Sequence, residues 1–200
     1  MGAALCQHGP VQLQFGGVAV QAAAIRKAHM VDAAQAMQAG VPFDLLTEAD
    51  LLNPAALAGY DAIVFPGFSH VQGGQATAIA TSLATAVRDY GVGLIAAGNF
   101  MTNDETGAAL AGDSYARMKS LLGVTLEGFG ATGGITLRAA GGAVHPILDG
   151  YGSGQVVGTY GNTAYLNFTD ITGTGKVLFE QVVTGGVHDA VIATQTVGRN

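Results

Sequence analysis

Five polar residues, Asn99, Thr102, Asn103, Asp104 and Glu105, crowd into one short stretch, and Gly67, Ser69 and His70 lie about one helix earlier. Amides, carboxylates and hydroxyls supply the donors and acceptors that the hydroxyl groups of a sugar or another small polar molecule require. Gly67, Ser69, His70, Asn99, Thr102, Asn103 and Asp104 are therefore the candidate ligand-binding residues. His70, Asp104 and Glu105 are the candidates for general acid–base catalysis, because imidazole and carboxylate can carry a proton near neutral pH when their surroundings tune them. Adjacent residues usually point apart, so at most one of Asp104 and Glu105 is expected to face a given substrate. The plainer alternatives are a solvated turn leading into Gly107 and a surface histidine at position 70.

Other constellations lead nowhere specific. A metal site would need His70, Asp104 and either His145 or His188 gathered from distant places, and no ligand-spaced motif supports one. No metal or cofactor is expected. Cys6 is the single cysteine, which excludes an internal disulfide framework and a multi-cysteine zinc site. Gly128–Gly134 lacks the Gly-Lys-Ser/Thr ending of a phosphate loop and reads as a flexible turn.

The elements that must position the polar residues are two short apolar runs. Tyr60-Asp61-Ala62-Ile63-Val64-Phe65 reads as a strand entering Pro66-Gly67, and Gly93-Leu94-Ile95-Ala96-Ala97 reads as a second strand turning at Gly98-Asn99-Phe100. Between them, Thr77–Tyr90 reads as a helix with Ile79, Leu83, Val87 and Tyr90 on one face and Gly91 as its cap. Strand, helix and strand of this length suit a parallel β-α-β crossover. In open parallel sheets ligands gather beyond the carboxyl ends of the strands, which points to the loops after Phe65 and Ala97.

Upstream, Val11–Phe15 is expected as a strand, Val18–Gln38 as a helix and Val41–Leu46 as a further strand, with Asn53-Pro54 opening a helical turn. Downstream, Ser114–Leu122 is expected as a helix behind Asp113, with Tyr115, Met118, Leu121 and Leu122 for burial. After Gly123 the texture changes, and short strands are expected at 134–137, 155–158, 163–168, 176–180 and 190–194, punctuated by glycines.

The 200 residues are 49% hydrophobic with a formal net charge of -6, enough apolar material for one sizeable core. Eight Lys and Arg against fourteen Asp and Glu, without a basic cluster, argue against a nucleic-acid partner. Apolar runs stop well short of the ~20 residues that cross a bilayer, so no membrane partner is expected and the chain reads as soluble, either cytoplasmic or exported within a longer protein. Met1–Phe15 shows no basic segment followed by a continuous apolar one, so no signal peptide is read.

At Asp61-Ala-Ile-Val-Phe-Pro-Gly and Val92-Gly-Leu-Ile-Ala-Ala-Gly-Asn the sequence resembles the class I glutamine amidotransferase-like superfamily. It is most similar to branches that lack amidotransferase activity, namely the trimerisation domain of family 42 β-galactosidases and trehalose-utilisation-type proteins. The resemblance runs over roughly 41–122, with weaker echoes at Val144-His145-Pro146-Ile147-Leu148 and Val197-Gly198-Arg199. It implies an α/β fold, a flavodoxin-like three-layer sandwich with a mostly parallel sheet and a strand-rich C-terminal third. It also implies a single domain over 1–200, and the stop at Asn200 just after the Gly-Arg pair suggests a piece of a longer polypeptide.

Active members of the superfamily place a cysteine on the turn after the strand equivalent to 93–97, activated by a downstream His and Glu, while the loop equivalent to Pro66-Gly67 offers N–H groups to the oxyanion. Here the turn is Gly98-Asn99-Phe100, Cys6 lies outside the motif, and neither His145 nor His188 is followed by the His-x-Glu pattern. An amide side chain does not act as an acyl-transfer nucleophile. The resemblance thus implies a bacterial pseudoenzyme domain without glutaminase activity, serving a carbohydrate-active protein by ligand binding or assembly. Its partners would be a carbohydrate or small polar ligand, other copies of the chain, or other domains of a longer one. The alternatives are a stand-alone hydrolase using His70, Asp104 or Glu105, and an oligomerisation module without a ligand.

Overall fold

The computed structural model describes residues 3–6, 38, 40–131, 133–142 and 144–195. The expected strand at 11–15 and all of the expected helix at 18–38 except Gln38 lie outside the described residues. The described residues fall into two compact units, one within 3–121 and the other within 122–195.

Among the described residues the first unit is built on a parallel sheet of four short strands, β1 (Ala3–Cys6), β2 (Phe43–Leu46), β3 (Ala62–Phe65) and β4 (Gly93–Ala96), in the order β2-β1-β3-β4. β3 and β4 lie side by side in register from Ala62↔Gly93 to Phe65↔Ala96. Helix α1 (Pro54–Leu57) starts with Pro54, whose fixed φ suits the first helical position. Helix α2 (Ala76–Tyr90) joins β3 to β4 and ends on Gly91, which adopts the left-handed φ of 74° that a cap of this kind requires. Its buried stripe is Ala76, Ile79, Ser82, Leu83 and Ala86, so the helix is turned slightly from the expected face and leaves Tyr90 exposed. Helix α3 (Ala116–Leu122) follows Asp113, whose carboxylate accepts the Tyr115 N–H at 3.0 Å. Met118 and Leu121 are its buried residues.

The second unit has six strands, β5 (Val124–Ala131), β6 (Gly134–Ala139), β7 (Val156–Gly161), β8 (Ala164–Asp170), β9 (Lys176–Val183) and β10 (Gly186–Ala193). They form a four-stranded sheet ordered β10-β9-β6-β7 and a ribbon of β5 with β8, and every pairing is antiparallel. Polar side chains tie ribbon to sheet. Gln181 Nε2 donates to the Leu166 carbonyl at 2.7 Å, and Asn167 Nδ2 lies 3.4 Å from His188 Nδ1 while donating, within the ribbon, to Glu127 Oε2 at 3.0 Å.

The expected flavodoxin-like sandwich with a mostly parallel sheet is therefore overturned: among the described residues 37% are strand and 21% helix, and the longer strands are the antiparallel ones. The reason is connection length. Parallel neighbours need a crossover of a dozen or more residues, which the chain provides between β3 and β4, whereas Val183 and Gly186 are separated by only Thr184-Gly185, room for a hairpin alone.

The reading of Gly128–Gly134 as a flexible turn is also corrected, since β5 runs through Gly128 and Gly130 to Ala131. A Cβ at Gly130 would come within 2.7 Å of the Tyr165 ring on β8. Glycine there admits a cross-strand aromatic ring that stacks on His188 with centroids 5.1 Å apart.

Candidate functional site

The carboxyl ends of β3 and β4 rest on three buried rings. Phe65, Phe68 and Phe100 are each at most 1% exposed, with centroid separations of 5.0 to 5.7 Å, and such tilted and edge-on pairs add to the stabilisation from burial. The turn out of β4 passes through Gly98 at φ 70° and Met101 at φ 51°, the second a fully buried residue in a backbone region costly for a side chain. Arg117 reaches under this turn, its Nε donating to the Met101 carbonyl at 2.9 Å.

Above the rings the two loops are laced together by main-chain bonds. Met101 N–H donates to the Phe68 carbonyl at 2.7 Å, Thr102 and Asn103 N–H both donate to Ser69 at 2.9 Å, and Val71 N–H donates to Asn103 at 3.0 Å. Gly67, Ser69, His70, Asn99, Thr102 and Asn103 thus belong to one small region of the first unit, and Asp104 and Glu105 follow directly.

Most candidate side chains are already spent on the loops themselves. Asp104 Oδ1 accepts from Thr106 N–H at 2.9 Å, Thr106 Oγ1 at 2.6 Å and Ala108 N–H at 3.0 Å. These bonds, the Thr106 hydroxyl foremost, hold its pKa below the ordinary carboxylate value, which suits a turn-forming anion and not a proton donor. Glu105 Oε2 accepts the Gly73 N–H at 2.8 Å. Thr102 Oγ1 donates to Asn103 Oδ1 at 2.7 Å, and Asn103 Nδ2 donates to the Gly107 carbonyl at 2.8 Å. Ser69 Oγ and His70 Nδ1 are 2.9 Å apart. Asn99 differs, because its Oδ1 is buried without a hydrogen-bond partner among the described residues, as is Arg117 Nη2.

Two residues escaped the sequence reading. Glu48, 6% exposed beyond the end of β2, accepts the Gln72 N–H at 3.1 Å and so braces the loop after β3. Arg117 braces the loop after β4. Neither sits in a motif, other charged residues stand close by at Asp50, Asp113 and Lys119, and both act across long stretches of chain, so no local signal marked them. Among the described residues no three of His, Cys, Asp and Glu are grouped to hold a metal ion, and none of the helices is long and apolar enough to cross a membrane. His145 and His188 lie in the second unit.

No protein-family model matches the chain, and no curated protein matches it. Solved structures do. A ThuA-like protein from Bacteroides uniformis aligns over 96% of this chain and 77% of its own, with a TM-score of 0.56 and 14% identity. A β-galactosidase from Bifidobacterium adolescentis aligns over 98% and 90% at a TM-score of 0.40 and 15% identity, too loose a superposition to carry an argument. The chain shares its fold with the ThuA-like protein, and at this identity the likeness extends to the fold alone.

Proposed function

We propose that this chain is a non-catalytic domain of the glutamine amidotransferase-like type that assists a larger, carbohydrate-active protein by assembly or by binding a ligand. The observation that carries the reading is the turn after β4, where Asn99 stands in place of a nucleophile while the neighbouring carboxylates of Asp104 and Glu105 serve backbone N–H groups. A pair of carboxyl groups so engaged cannot easily donate or abstract a substrate proton. The sequence motifs and the shared fold of the ThuA-like protein support the family assignment. The direct experiment incubates the purified chain with glutamine and with chromogenic glycosides. No turnover is expected, and turnover that survives repurification would sink the proposal.

One contact favours a second reading, a hydrolase: Ser69 Oγ lies 2.9 Å from His70 Nδ1, the kind of pair that can activate a hydroxyl. Under that reading a hydrolytic activity exists and disappears in both Ser69→Ala and His70→Gln, whereas Asp104→Asn changes only stability.

A further inference from the structure

The second unit contains an open cleft of about 220 Å³ that the amidotransferase-like motifs do not touch. It lies on the excursion between β6 and β7, whose ends are pinned together where Ala139 N–H donates to the Gln155 carbonyl at 2.9 Å and Gly154 N–H donates to the Ala139 carbonyl at 3.0 Å. Compact loops with closed ends are frequent ligand sites. Ala139, Ala140 and Leu148, all at most 9% exposed, give the cleft an apolar floor.

Its polar lining is uncommitted, in contrast with the loops after β3 and β4. Asp149, Tyr151 and Ser153 line it, and none of their side-chain oxygens hydrogen-bonds to the described residues. His145 also lines it, and its Nδ1 accepts the Ile147 N–H at 3.2 Å. That bond places the proton of the neutral ring on Nε2, a donor left for another partner. Tyr151 is held edge-on to Phe179 with centroids 5.6 Å apart, so its ring is positioned before any ligand arrives.

This set selects by elimination. No Lys or Arg side chain lines the cleft, the adjacent Lys176 ammonium is engaged by the Val144 carbonyl at 3.3 Å, and Asp149 would repel an anion; a single carboxylate without further ligands does not make a cation site; an apolar guest would leave four polar groups unpaired. A neutral molecule with several hydroxyls satisfies one acceptor, one donor and two hydroxyls while laying C–H groups against a ring and the floor. The volume lies below the roughly 300 Å³ at which pockets for drug-sized ligands begin, which fits one sugar ring.

We propose that this cleft binds one ring of a neutral saccharide. The proposal names a ligand class for the accessory role above and rests on that role for its biological sense, although the cleft itself supplies the chemistry. The test is a titration of the isotope-labelled full chain with D-glucose, D-galactose and N-acetyl-D-glucosamine, followed by amide shifts, with sodium glucuronate as the anionic comparison. At least one neutral sugar is expected to move amides between 140 and 155, while glucuronate moves none there. Asp149→Ala and Ser153→Ala are each expected to weaken binding about tenfold with the strand amides unmoved, and Tyr151→Phe keeps the ring and tests the hydroxyl separately. Sugar-dependent shifts confined to the region of Ser69 and Thr102 would overturn the cleft proposal and leave ligand binding by the accessory domain standing. The absence of shifts with every sugar would overturn it too, leaving the accessory role to assembly alone.

Discussion

The Asp104 carboxylate and Thr106 are joined twice, Oδ1 accepting from the Thr106 N–H at 2.9 Å and from its hydroxyl at 2.6 Å. The same oxygen accepts from Ala108, so one carboxylate organises the whole return of the loop after β4. Asp104→Ala is expected to lower the melting temperature and to speed hydrogen exchange at Thr106 and Ala108, and Asp104→Asn, which retains an acceptor oxygen, to do so less. Because the folded pKa lies below the unfolded one, this stabilisation is present in full above about pH 4 and disappears as pH falls through the lowered value. Melting curves of wild type and Asp104→Ala should therefore converge in acid, and an undiminished gap would refute the assignment.

Asp189 on β10 behaves in the opposite sense. Burial, then repulsion from Glu180 and Glu127, raises its pKa. Its ionisation costs stability, so stability falls as pH rises from the unfolded value through the raised folded one, and the cost persists at neutral pH. Asp189→Asn should raise the melting temperature at pH 7, with the gain vanishing below about pH 4; a gain independent of pH would point to a different cause.

Gly130→Ala drives a methyl group into the Tyr165 ring. Overpacking of this kind typically costs about 1–3 kcal/mol, and relief by rotation of Tyr165 would break its stack on His188. The imidazole proton shifts of His188 report that directly, and their constancy would show that the strands part instead.

Phe100→Ala removes one of three mutually packed buried rings. The expected loss is about 3–5 kcal/mol, measured by denaturant unfolding. It should exceed the effect of Asn99→Ala, which deletes a buried oxygen that lacks a partner among the described residues and should stay within about 1 kcal/mol of wild type. A large loss at Asn99 would mean that the amide is held by something outside the described residues.

The β3-α2-β4 segment was legible because its signals are local. The helix expected at 77–90 is found at Ala76–Tyr90 and closes on Gly91, and the strand expected at 93–97 is found at Gly93–Ala96. Strands near 134, 156, 164, 176 and 190 were legible as segments, but their partners were not. Nothing in the vicinity of Thr125 names Thr169 as its neighbour, and β5 was hidden because its glycines read as a turn when taken without Tyr165 and Asn167. At the candidate site the grouping of the polar residues could be read from strand order, whereas their engagement with backbone N–H groups depended on loop geometry that residue types do not encode.

The pairing of the second unit also sets an order of events. Among the described residues β5 pairs with β8 alone, and β6 sits between β7 and β9, with Arg138 opposite Glu180 and bonded to it at 2.9 Å. On a growing chain β5 therefore leaves the ribosome long before its partner exists, and the inner pair of the sheet waits for Lys176–Val183. Such non-local pairing slows folding and leaves strand edges open in the meantime. The β5–β8 pairing of the second unit should accordingly form late, as should β1 with β3 in the first, where Ala3 lies beside Ala62, while the β3-α2-β4 segment closes over neighbouring residues as they emerge.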